Sequence, residues 1–276
     1  MTESSLNSDR IFLVQNDRIL SKDSEVADVC NSYFNDITKD LNLWKWLPEP
    51  LCPILSNPVF QAIAKYEDHP SILKIQSLFN IQSRFNFSTV DSETVHKLIM
   101  SLEVKKSTSG NINPKLLKLS SGFFSSSLLA NSFNASLCEA KFPNSLKCAS
   151  VTPILKKGDA TCVKNYRPIS ILPTVSKIFE KIMATQLNAF FETRFSPLLY
   201  GFRKSHSTQH ALLRLLHRWQ SSLDNSKIVG TVLMDLSKAY DCLTHDLLIA
   251  KLAAYGVEYH SLFFIHDYPT GNKKLG

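Results

Sequence analysis

Asp235 closes the run V-G-T-V-L-M at 229–234, whose apolar residues follow polar Asn225, Ser226 and Lys227 and predict a buried strand. An ionised carboxylate is expensive to bury, so one placed where such a strand emerges is either solvated or held beside a cation such as magnesium. Upstream, residues 151–155 predict a short strand that leads into Lys156-Lys157-Gly158-Asp159 and returns through Asn165-Tyr166-Arg167. A strand, a tight basic turn with glycine and a returning strand make a hairpin able to grip phosphate. Lysine offers it a point charge and arginine a planar fork matched to phosphate oxygens. Arg203, followed by Lys204, offers either a further phosphate contact or a surface pair with a carboxylate.

These groups must be held by ordinary elements. Residues 11–14 and 18–20 flank Gln15-Asn16-Asp17 as a short hairpin, and Ser21 to Ser24 supply candidate caps for a helix with Val26, Val29, Tyr33, Phe34 and Ile37 at helical spacing. Pro48, Pro50, Pro53 and Pro58 exclude a continuous helix over 47–58 and predict a linker. A helix capped at Ser92 runs to Leu102, and helical spacing returns over 116–119 and 128–137. Pro168 is expected to end its strand. Val175, Ile178, Phe179, Ile182, Met183, Leu187 and Phe190 predict a core-facing helix stripe, as do Leu212, Leu215, Leu216, Trp219 and Leu223. His206 and His210 could share a helical face as metal ligands do, but Ser207 or Thr208 as an N-cap with His210 toward solvent is the simpler reading. Residues 244–254 predict a last helix, stopped at Gly256.

The composition, 44% hydrophobic and 20% charged over 276 residues, is that of a globular chain and excludes a disordered one. With no run near eighteen apolar residues and no leader pattern at Met1 to Ser5, the chain is expected to be soluble and intracellular, with no membrane partner. Its six cysteines form no C-x-x-C pair, which argues against structural zinc or a disulfide framework. Residues 1–100 carry 9 Lys and Arg against 13 Asp and Glu, and residues 101–276 carry 22 against 11. Phosphate binding therefore belongs to the second part.

Three boxes in order, Y-R-P-I-S at 166–170, G-F-R at 201–203 and D-L-S-K-A-Y-D at 235–241, resemble the reverse transcriptases of non-LTR (LINE-type, jockey-like) retrotransposons. The resemblance is strong over 105–276 and looser over 11–104. It implies an α+β fold of right-hand polymerase type: fingers and a partial palm, built of short antiparallel strands with packed helices, in residues 105–276, after a mainly helical lead-in region over 1–104. It also implies that Lys157, with Lys156 beside it, and Arg167 hold the incoming triphosphate, that Arg203 and Lys204 contact nucleic acid, that Asp235 is the catalytic metal ligand and that Tyr240 closes the sugar pocket. Mg2+, an RNA template, a DNA primer and deoxynucleoside triphosphates are the implied cofactor and partners. Lys105 to Ile112 looks like the family's K-S-x-G-x-D-G-I loop without its Asp, and Ser205 stands where relatives carry a second glycine.

In an extended strand the six residues from Asp235 to Asp241 span roughly 20 Å, whereas two catalytic metals sit about 4 Å apart, so Asp241 is read as structural. The family completes its metal site with an Asp-Asp box, and no Asp-Asp pair occurs in the sequence. The chain is therefore expected to be a truncated reverse transcriptase without polymerase activity. The alternatives are a nucleic-acid-binding remnant or a functionless mobile-element fragment. A nucleotide hydrolase using V-L-M-D as its acidic strand lacks any phosphate-binding G-x-x-x-x-G-K-[ST] loop.

Overall fold

The computed structural model describes residues 11–15, 18–36, 57–79, 83–104, 112–235 and 243–270. The chain divides into two compact units, one of residues 1–181 with 240–276 and one of residues 182–239. Among the described residues the architecture mixes helices with two small antiparallel sheets of two strands each. The proline-rich stretch over 47–56, the loop over 105–111, Tyr240 and Asp241 lie outside the described residues.

In the first unit, β1 (Leu13–Gln15) and β2 (Arg18–Leu20) form the expected hairpin, with Val14 opposite Ile19. The helix expected next is α1 (Asp23–Asp36), with Asp23 and Glu25 at its positive N-terminus. The sequence reading missed α2 (Pro58–Lys65) and α3 (Pro70–Leu78). Pro58, read as the end of a linker, opens a helix instead. Proline at the first helical position forfeits no hydrogen bond, and Asn57 caps the end by accepting from Val59 N at 2.9 Å. α4 (Ser92–Ser101) is capped by Asp91, whose carboxylate accepts from Thr94 N at 2.6 Å, and not by Ser92 as expected. That bond holds the Asp91 carboxyl below the usual carboxylate range.

α5 (Pro114–Ser120) runs through one π-helical segment, Ser121–Ser125, into α6 (Ser126–Cys138). α4 packs on α6, so packing crosses the expected family boundary at 104/105. Asn134 of α6 fixes the approach, accepting from Val90 N and donating to Val90 O at 2.9 Å each, as a neighbouring strand would. β3 (Ser150–Leu155) and β4 (Tyr166–Ile171) follow, then α7 (Thr174–Phe191), which begins in this unit. α9 (His245–Ala254) ends at Gly256, whose φ of 95° is the left-handed value expected just past a helix. α2, α3 and α10 (Tyr259–Asp267) pack on α9.

The core of this unit is aromatic. Phe133, Phe142, Phe179 and Phe264 are fully buried. Phe133 and Phe179 meet edge to face at 5.1 Å, the arrangement that ring quadrupoles favour. Lys147, almost fully buried, places Nζ 2.8 Å from Asp267 Oδ2, which also accepts from Phe142 N at 2.7 Å.

The second unit contains α8 (Thr208–Asp224), capped by Ser207, which accepts from His210 N at 3.3 Å. This is the capping role expected there, and His210 is exposed. Two expectations fail in this unit. The apolar stripe of α8 is not core: Leu212, Leu215, Leu216 and Leu223 are exposed and Trp219 is half-buried. The run at 229–234 is not a buried strand either, since Val232, Leu233 and Met234 are 82%, 90% and 88% exposed and pair with no strand among the described residues. Apolar pattern marks a segment that can be buried. A strand needs in addition a partner for its backbone donors and acceptors, and a helix stripe needs a covering layer.

Candidate nucleotide and nucleic-acid interface

The expected basic hairpin is present. β3 and β4 pair antiparallel with Ile154 opposite Arg167 and Leu155 opposite Tyr166. Pro168 does not end the strand, as expected from sequence, but sits inside β4 directly opposite Pro153. Antiparallel pairs alternate between those that exchange hydrogen bonds and those that do not. Lys156 N donates to Asn165 O at 2.9 Å, so the Lys156 and Ile154 pairs are bonded ones and the Leu155 and Pro153 pairs are not. Both prolines thus occupy the type of position that asks for no inward N–H, which is why the ladder passes through them.

Pleating then sorts the side chains. Lys156, Ile154, Arg167 and Ile169 project from one face and are exposed, while Tyr166 is buried on the other. Lys157 lies beyond the ladder in the turn and is exposed as well. The structure therefore places Arg167 and Lys156 on one face and carries Lys157 at the tip.

Sequence reasoning named the glycine of the turn but not the interactions of Asp159, Thr161 and Asn165 that shape the tip. Gly158 has a φ of 90°, and a Cβ there would lie 2.9 Å from Asn165 Nδ2. Asn165 Nδ2 donates to Asp159 O at 2.8 Å. The Asp159 carboxylate accepts from Thr161 N at 2.8 Å and Thr161 Oγ1 at 2.7 Å, bonds that hold its carboxyl below the usual range. The readable signal was Asp159-Ala160-Thr161 after a glycine, a local turn in which Asp accepts from the residue two on.

In the second unit, Arg203 is inside its own loop. Its Nη2 lies 2.7 Å from Glu192 Oε1, its Nη1 donates to the Ser196 carbonyl at 3.2 Å, and its guanidinium stands 5.7 Å from the Phe195 ring centre. A phosphate contact would require it to release Glu192. Lys204 is exposed. Ser205 has a φ of 61°, so the position adopts the left-handed backbone that favours glycine. His206 Nδ1 donates to the Lys204 carbonyl at 2.9 Å. Asp235 is exposed, and among the described residues no three His, Cys, Asp or Glu side chains come together as a metal site.

The hairpin and the loop with Asp235 therefore carry their functional groups in different units. Residues 154–274 match the family described as reverse transcriptase (RNA-dependent DNA polymerase). The chain is 35% identical over 127 residues to the probable RNA-directed DNA polymerase from transposon BS of Drosophila melanogaster, a match covering 45% of this chain and 14% of that protein. It is 27% identical over 226 residues to the RNA-directed DNA polymerase from mobile element jockey of the same species, covering 79% and 22% respectively. The probable polymerase from transposon X-element of that species is 30% identical over 123 residues, covering 44% and 14%. The chain thus spans less than a quarter of the length of these relatives. Residues 154–274 are thus similar to a segment of polymerases of the reverse transcriptase class. Within that class the similarity is to enzymes of non-LTR retrotransposons.

Proposed function

We propose that this reverse transcriptase segment engages an RNA template, a DNA primer and deoxynucleoside triphosphates through its basic hairpin, and that the 276-residue polypeptide does not by itself extend a primer. The observation that carries the first half is the exposed face shared by Lys156 and Arg167, with Lys157 at the tip, inside the matched residues. A planar fork and two point charges there suit a polyphosphate or a nucleic-acid backbone. In this reading residues 105–276 are the polymerase portion, the β3–β4 hairpin belongs to the fingers and the segment ending at Asp235 to the palm. Lys204 adds a backbone contact, Arg203 holds its loop and Tyr240 shapes the sugar pocket.

Nucleotide addition uses magnesium to activate the primer hydroxyl and neutralise pyrophosphate. Asp235 is exposed and belongs to no group of three or more His, Cys, Asp or Glu among the described residues, and a two-metal site needs several carboxylates, so no step is assigned through the metal. Binding without extension is the activity that these residues support.

The test is binding of the purified chain to a labelled RNA–DNA primer-template at several salt concentrations, with primer extension read from the same tubes. Binding that weakens with salt and with Lys157→Ala/Arg167→Ala, and without extension, is the expected result. Templated extension would overturn the second half of the proposal, and salt-insensitive or absent binding in a folded preparation the first.

A further inference from the structure

The basic turn is tied to the N-terminal elements. Val14 N, directed away from β2, donates to the Thr161 carbonyl at 2.8 Å, so the outer edge of β1 lies along the turn. Beneath that bond Leu13, Leu20, Val26 and Cys30 form a buried cluster with Tyr166, and Val163 packs against it. Tyr166 immediately precedes Arg167. Strand alternation therefore sends the ring into the cluster and the guanidinium to the opposite, exposed face. The Tyr166 hydroxyl donates back to the Ala160 carbonyl at 2.8 Å, so one side chain links the cluster, the turn and the strand that carries Arg167.

We infer that residues 11–36 are a positioning element for the phosphate-gripping turn, acting through Val14 on Thr161 and through the cluster on Tyr166. A two-stranded ribbon is marginal on its own, and its tip must be ordered whenever it binds. The contacts from β1, β2 and α1 supply that order in advance, so Lys156, Lys157 and Arg167 meet a phosphate without first losing the freedom of the turn. These residues lie outside the matched segment 154–274. Their effect on it is through the Val14–Thr161 hydrogen bond and the packing around Tyr166. The inference rests on the hairpin reading given above.

Two variants of the full chain test it. Val14→Pro removes one outward N–H without deleting a β1–β2 bond, and Leu13→Ala loosens the cluster while leaving every hairpin residue in place. Both are compared by amide hydrogen exchange over 156–166 and by the salt dependence of primer-template binding, after near-ultraviolet circular dichroism shows a folded preparation. The expected result is faster exchange in the turn and a salt slope smaller by about 1, the loss of one phosphate contact. Combination with Arg167→Ala should be less than additive, because both changes remove the same contact. Unchanged exchange over 156–166 in both variants, or an additive combination with the slope intact, overturns the inference. If Arg167→Ala alone leaves binding unchanged, the phosphate reading fails instead, and hydrogen exchange still decides whether residues 11–36 hold the turn.

Discussion

Arg203 and Glu192 meet at 2.7 Å, closing the loop between α7 and α8 with an ion pair whose guanidinium side is almost fully buried. Nη1 of Arg203 reaches the backbone carbonyls of Ser196 and Leu199, while its buried Nε has no hydrogen-bond partner. Arg203→Ala should lower stability by about 1–2 kcal/mol, because several modest bonds are lost together and the carbonyls regain water. Arg203→Lys should recover little of that loss, since a point charge cannot reach three directions at once. Chemical denaturation of the two variants measures both.

Ser205 occupies left-handed backbone with a φ of 61°. Ser205→Gly should therefore stabilise the chain by about 0.5–1 kcal/mol, the relief of a strained non-glycine residue less the added freedom of the unfolded chain. A rise in thermal midpoint without a change in circular dichroism is the expected outcome. A fall would mean that the serine side chain contributes a contact larger than the strain.

Glu180 accepts a hydrogen bond from the Tyr268 hydroxyl, and burial pushes its carboxyl above the ordinary value of 4.5, against the opposing effects of that bond and of Lys177. The folded state then holds this proton more tightly than the unfolded state. The contribution of Glu180 to stability is full below pH 4.5 and is lost as pH rises through its raised value. Glu180→Gln, whose carboxamide oxygen still accepts from Tyr268, should flatten this part of the profile and be the more stable protein at neutral pH. Unfolding free energies between acid and neutral pH give the comparison.

Asp267 neutralises the buried Lys147 and accepts from Phe142 N. Asp267→Asn keeps an acceptor but leaves the ammonium without a counter-charge, which should destabilise by about 2–4 kcal/mol. Restoring neutrality with Lys147→Met in the same chain should recover most of the loss. A double-mutant cycle by urea unfolding reads the coupling.

Local chemistry made much of the first unit readable from sequence. The β1–β2 hairpin, α1, the basic β3–β4 hairpin and the Gly256 stop each follow from residues within a few positions of one another. α2 is hidden by reading Pro58 only as a breaker, when Asn57 places it at a helix start, and α3 opens the same way at Pro70 behind His69. The second unit was read less well. Its leucine stripe and its V-L-M run carry a true apolar signal, but the signal does not say what lies against them, and here Leu212 and Leu233 face outward.

For the site, the residue types on the hairpin were legible and their arrangement was not. Lys156 stands on Arg167's face because of pleat and register, quantities set by the pairing of Ile154 with Arg167 and absent from any linear motif. Arg203 shows the converse: the motif named the residue, and only the fold revealed that Glu192 already holds it.

The facing prolines of the basic hairpin have a further effect. At an unbonded pair each backbone nitrogen turns outward, and Pro153 and Pro168 therefore strip one donor from the outer margin of both strands at the same level. A visiting strand on either side would meet a carbonyl with no matching N–H at the middle of its path. The ribbon that displays Arg167 therefore offers an interrupted template on both margins, which disfavours pairing with another strand and with copies of itself.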